Sequence, residues 1–166
     1  MIAGMDMRKR IYYHFPKRDT HFEQRYRYYG DLPYLVRTMA GIDGKHGMFA
    51  TESPDRRGHS IQARRCLEVY IVENNLEFVH LTLDNVEEIL GGIESDGMLD
   101  FKMPLKYSYL DGKYNRIPFA GDDYLVRANL DGDLLTLQVH LDAGYGRTEC
   151  GRVADTIVEE LRRGMG

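Results

Sequence analysis

The stretch "DDYLVRANLDGDLLTLQVHL", Asp122 to Leu141, decides the fold. Tyr124, Val126, Ala128 and Leu130 alternate with polar residues in its first half, and Leu135, Leu137, Val139 and Leu141 do so in its second. A period of two places each set on one face of a half-buried strand. Between the runs sits Asp131-Gly132, a pair that favours a two-residue type I′ hairpin turn. Such a loop pairs Leu130 with Asp133. It sets Ala128 opposite Leu135, Val126 opposite Leu137 and Tyr124 opposite Val139. Pattern and turn agree on an antiparallel hairpin with one apolar face.

The same device recurs upstream. Leu110-Asp111-Gly112-Lys113 joins "MPLKYSYL" to "KYNRIPF" and predicts Tyr109 across from Tyr114 and Tyr107 across from Arg116. Pro104 and Pro118 are expected at strand ends or edges, because proline donates no ladder hydrogen bond. "CLEVYIVENNLEFVHLTL" predicts a third hairpin, with a loop at Asn74–Leu76 that matches Ile71 with Val79, Val69 with Leu81 and Leu67 with Leu83. Asp84-Asn85-Val86-Glu87 then has the spacing of a capping box, and Val86, Ile89, Leu90 and Ile93 follow at helical spacing up to Gly91-Gly92.

Near the C-terminus, Val153, Ala154, Ile157, Val158 and Leu161 form the stripe of an amphipathic helix. Its final turn holds Arg162 and Arg163, where the helix dipole favours positive charge. In the first half, "IYYHF" reads as a short strand ended by Pro16. Asp19 is positioned to cap a helix carrying Phe22, Tyr26 and Tyr29, stopped at Gly30. Asp31 is positioned to cap a second, "LPYLVRTMA", with Pro33 in its first turn and Gly41 and Gly44 as breakers. "GMFATE" and "SIQARRCLEVY" read as strands flanking the loop "SPDRRGH".

These elements predict one α+β domain over residues 1–166, built on a mainly antiparallel sheet of about six to eight strands with the C-terminal helix across one face. Residues 1–30 are a candidate basic, aromatic arm. The order of elements resembles the helix-grip arrangement of START-type ligand-binding domains, in which a curved sheet wraps a terminal helix.

Composition narrows the class. A 43% hydrophobic share supplies a real core in 166 residues. No window reaches the roughly 18 consecutive apolar residues of a membrane span, and the apolar start of "MIAGMDMRKR" is too short for a secretory signal. Two cysteines, Cys66 and Cys150, in unlike contexts favour buried thiols in a reducing cytoplasm over a disulfide. Residues 1–65 carry 13 Lys/Arg against 7 Asp/Glu, and residues 66–166 carry 9 against 19. This split predicts a homodimer in which the basic segment of one subunit meets the acidic half of the other; the rival is a match within one chain.

Several stretches could carry chemistry. "RKRIYYHFPKRDTHFEQRYRYYG", Arg8 to Gly30, interleaves cations with aromatic rings, a composition suited to single-stranded nucleic acid, although no nucleic-acid motif accompanies it. "DAGYGRTECGR", Asp142 to Arg152, joins strand to helix through three glycines. It makes Gly144, Gly146, Arg147 and Arg152 the candidate anion binders, because a helix start offers free N–H groups. Tyr107, Tyr109, Tyr114 and Tyr124 are candidate pocket residues, each with an apolar body and a polar tip.

Against catalysis, Ser53, Asp55 and His59 crowd one loop without a nucleophile-elbow motif. The six histidines show no zinc-ligand spacing, though His80 and His140 are candidates to share a sheet face. Asp122-Asp123 and Asp131/Asp133 read as turn residues. The reading is a non-catalytic module for a small anionic or amphipathic ligand, with nucleic-acid binding as the alternative; the cofactor is left open.

Overall fold

The computed structural model describes residues 15, 21–72, 77–93 and 97–165. Among the described residues the fold is α+β, with eight antiparallel strands curled into a half-barrel and three helices. The strands are β1 (Phe22–Arg27), β2 (His46–Glu52), β3 (Ser60–Leu67), β4 (Tyr70–Val72), β5 (Phe78–His80), β6 (Met98–Leu110), β7 (Arg116–Asp131) and β8 (Leu134–Ala143). The helices are α1 (Leu32–Ile42), α2 (Val86–Gly92) and α3 (Cys150–Met165). The sheet runs β1-β8-β7-β6-β3-β2, and β4 joins β6 beside β3 and carries β5.

The β7–β8 hairpin forms with its apolar faces as expected, but the register differs. Leu130 pairs with Leu135, Ala128 with Leu137, Val126 with Val139 and Tyr124 with Leu141. The turn residues are Gly132 and Asp133 rather than Asp131 and Gly132. Gly132 has φ +60°, and a glycine in the first central position suits a type II′ turn. Each partner moves by two residues, so every side chain keeps its face.

The β6–β7 connection also departs from expectation. Leu110 pairs with Arg116, Tyr109 with Ile117 and Tyr107 with Phe119, leaving a loop from Asp111 to Asn115. The Asp111 carboxylate accepts from the backbone N–H of Lys113 (2.8 Å) and Asn115 (2.9 Å), which replaces a tight turn by a wider one. Pro104 is inside β6, not at an end. On its β3–β4 side it falls between the residues paired to β4 and those paired to β3, where no ladder donor is required.

Two irregularities curl the sheet. Between Leu105/Asp122 and Tyr107/Phe119 the register slips by one residue, and it slips again between Asp123 and Tyr124 on the β8 side. A bulge bends its strand and increases twist. Gly121 lies at the first, where a side chain would run into the Leu105 carbonyl.

α3 lies in the concavity. Val153, Ala154, Ile157, Val158 and Leu161 are buried with Phe101, Met103, Tyr124, Val126, Leu137 and Val139 of the sheet. Each larger apolar side chain contributes about 1.5–3 kcal/mol on burial. α1 packs beside α3; Asp31 caps it by accepting from Tyr34 N–H at 2.9 Å, and it runs through Gly41 to Ile42. The Ile71–Val79 pairing is as expected, and Leu81 N–H donates to Val69 at 2.8 Å, whereas Leu67 pairs with Leu105 and Leu83 is exposed.

Two local expectations are corrected. The Asp84–Glu87 capping box is not formed. Asn85 is the N-cap residue of α2 and its amide oxygen accepts from Thr82, while Glu87 pairs with Arg37 at 2.8 Å. Residues Phe22 to Arg27 form an edge strand on β8, not a helix. Phe22 and Tyr26, four residues apart, share a face in either structure. Tyr29 shares it only in a helix, and it is 73% exposed. The expected strand "IYYHF", apart from Phe15, and Asp19 lie outside the described residues.

In the described part of the basic segment, Arg27 pairs with Asp133 in the turn of the chain's own β7–β8 hairpin at 3.1 Å. No helix among the described residues is long and apolar enough to cross a membrane. Cys66 and Cys150 are separate thiols, each half-buried rather than fully buried.

Candidate anion-binding cleft

The loop from β8 to α3 departs from the sheet at Gly144 (φ +105°) and turns again at Gly146 (φ +74°). These left-handed residues aim successive backbone N–H groups at one point, as an anion-binding nest does. The point is already occupied from within. The carboxylate of Asp122, 2% exposed, accepts from Gly146 N–H at 2.9 Å and Arg147 N–H at 2.8 Å. The Tyr107 hydroxyl donates to the same carboxylate at 2.6 Å. The N–H groups of Gly146 and Arg147 therefore form a nest filled by the chain's own Asp122 carboxylate, against which Gly144 packs closely.

The Arg147 side chain is engaged through one terminal nitrogen, which donates to the Glu52 carbonyl at 2.6 Å and to the Thr51 hydroxyl at 3.1 Å, and it lies over the Phe119 ring, while its buried Nε has no hydrogen-bond partner among the described residues. It fastens the loop to β2.

The four candidate tyrosines are not brought together. Tyr107 and Tyr124 are buried under α3, where the Tyr124 hydroxyl donates to the Thr148 carbonyl. Burial pushes the ionisation of both upward, so both remain hydroxyls. Tyr109 donates to Asp55 at 2.6 Å on the β2–β3 side, and Tyr114 stands 85% exposed at a loop tip with φ +64°.

Two members of the predicted anion set line cavities: Arg147 borders an open one of about 700 Å³ with Thr51, Glu52 and Tyr145, and Arg152 opens onto a smaller one. A cleft of about 100 Å³ lies between the β2–β3 edge and the first turn of α3. Leu67, Leu105 and Val153 supply apolar wall, and Lys45, Arg65 and Arg152 line it with Thr148. Lys45 is tied to Glu160 of α3. Arg152 meets Glu159 loosely, at 3.4 Å, with both side chains more than half exposed.

Arg65 differs from both. Its guanidinium donates to the Thr148 hydroxyl at 2.8 Å and sits 4.3 Å from the Phe49 ring centroid, with no carboxylate against it among the described residues. Burial presses its ionisation below the ordinary arginine range; Tyr107 opposes the shift and Arg152 adds to it. A half-buried cation without a counter-ion beside a second cation leaves positive potential in a low-dielectric wall, where an entering anion is held strongly. Two residues apart on β3, Arg65 and Leu67 face the concavity together; alternation in "QARRCL" carried that signal, but nothing local gave a reason to choose Arg65 as a binding residue.

Thr148 links cleft and nest. Its hydroxyl lies 3.0 Å from the Tyr107 hydroxyl, so Arg65, Thr148, Tyr107 and Asp122 form one hydrogen-bonded chain.

The remaining candidates resolve into structure. Ser53 accepts from its own turn at Asp55 N–H and Arg56 N–H, both at 3.2 Å, and Asp55 accepts from Tyr109, so the loop Glu52–Ser60 does not assemble a triad. His80 pairs with Asp43 at 2.7 Å on β5, and His140 stacks on His21 on β8, strands that do not adjoin. Among the described residues, no group of three or more His, Cys, Asp or Glu is placed to hold a metal ion. Comparisons with protein-family models, curated proteins and solved structures find no match.

Proposed function

We propose that the protein is a non-catalytic binding module for a small anionic ligand, whose oxyanion group sits between Arg65 and Arg152. The observation that carries this reading is the half-buried Arg65 guanidinium, open to a cleft and without a carboxylate partner among the described residues. Arg152 at the rim draws the anion in. Thr148 holds the Arg65 fork in place, and the apolar wall of Leu67, Leu105 and Val153 suits the carbon skeleton of the ligand. The cleft presents donors and cations, the inventory of recognition.

Calorimetric titration with inorganic phosphate, pyrophosphate and citrate at low ionic strength tests it. At least one is expected to bind saturably and to weaken with added salt. A charge-assisted hydrogen bond is worth about 1.5–3 kcal/mol, so Arg65→Met and Arg152→Met are each expected to weaken binding about tenfold or more. Arg116→Met, at an exposed position away from the cleft, is expected to leave it unchanged. No saturable binding of any of the three, or wild-type affinity in Arg65→Met, contradicts the reading.

A further inference from the structure

The other end of α3 carries a second cavity, about 450 Å³, within the range typical of small-molecule pockets. Its walls are Tyr26, Tyr28, Tyr29, Leu135, Val158 and Leu161, so aromatic and aliphatic surface dominates. Aromatic walls favour a flat ring, which stacks offset or edge-on against them.

Two features at this cavity lack partners among the described residues. The Tyr26 hydroxyl is buried without a hydrogen-bond partner. Burial first, and then Asp155, raise its ionisation against the opposing Arg162, so it persists as a neutral donor. Arg162 also lines the cavity. Its neighbours are spoken for: Arg27 pairs with Asp133 at 3.1 Å and Arg163 with Glu160 at 3.2 Å. Arg162 has no such carboxylate among the described residues. A donor without an acceptor and a cation without an anion thus flank one apolar space. A single group satisfies both: a carboxylate on an aromatic body. Asp155 opposes it, which makes Arg162 indispensable rather than supplementary.

We propose that this cavity is a second binding site, for a flat aromatic carboxylic acid, with its ring among the three tyrosines and its carboxylate between Arg162 and the Tyr26 hydroxyl. The site shares no lining residue with the Arg65–Arg152 cleft, and it stands whether or not that cleft binds anions.

The test is titration of the full chain with 2-naphthoate and with its neutral counterpart 2-naphthylmethanol, by calorimetry and by methyl NMR. Naphthoate is expected to bind saturably, about tenfold or more tighter than the alcohol, with shifts at Leu135, Val158 and Leu161. Arg162→Met is expected to bring the acid down to the affinity of the alcohol. Tyr26→Phe is expected to weaken the acid about three- to tenfold while melting at or above the wild-type temperature, because it removes an unsatisfied buried hydroxyl. Arg65→Met is expected to leave naphthoate binding unchanged. Failure of naphthoate to saturate, equal affinity for acid and alcohol, wild-type affinity in Arg162→Met, or loss of binding in Arg65→Met overturns the proposal.

Discussion

Asp122→Ala is expected to lower the free energy of unfolding by about 3–5 kcal/mol, read by urea denaturation. Three donors converge on this carboxylate: the Tyr107 hydroxyl and the N–H groups of Gly146 and Arg147. Each buried donor left without an acceptor costs about 1–3 kcal/mol, and the total falls short of the sum because water follows the deletion into the space. Asp122→Asn is expected to fall between, since an amide oxygen accepts but its NH₂ group meets donors. A loss below about 1 kcal/mol in the alanine variant would show that the loop holds its shape without an internal anion.

Gly144→Ala is expected to cost about 2–4 kcal/mol by the same measurement. At φ +105° an L side chain is strained by about 1–3 kcal/mol before any contact is considered. Its Cβ would also lie 2.7 Å from the Gly121 carbonyl and 2.9 Å from Asp122 Cα, both backbone atoms of the bulged strand. Relief requires moving β7 at the place where Asp122 must face inward. Gly112→Ala is the control. No heavy atom comes within 4 Å of a Cβ there, and a change within about 0.5 kcal/mol is expected. Equal tolerance at both positions would contradict the tight loop–strand approach.

Faces were more legible in the sequence than registers. The alternation of Tyr124, Val126 and Ala128 against Leu135, Leu137 and Val139 points all six inward under either of two turns, so the pairing error at Gly132 left the core intact. The same ambiguity misled at Phe22 and Tyr26, whose spacing fits helix and strand alike. The side-chain acceptor of Asp111 turned an Asp-Gly pair into the start of a wider loop, which no short-range rule for hairpins anticipates.

The loop after β8 stood out in the sequence as a candidate anion binder from Gly144, Gly146 and a following helix. That its anion would be Asp122 depends on a bulge in β7, a feature of strand packing written in no local pattern. Arg65 was invisible for the same reason: its lack of a counter-ion is a property of the assembled concavity.

The central claim, that the open anion site lies between Arg65 and Arg152 and not at the glycine loop, is tested most directly by following arginine side-chain Nε–Hε signals during a pyrophosphate titration at low salt. The account predicts saturable shifts for Arg65 and Arg152 with a common dissociation constant, while the Arg147 side-chain signal, its guanidinium tied to Glu52 and Thr51, and the backbone N–H signals of Gly146 and Arg147, held by Asp122, stay in place. Shifts confined to Arg147 and Gly146, or no saturable shift at Arg65, would contradict it.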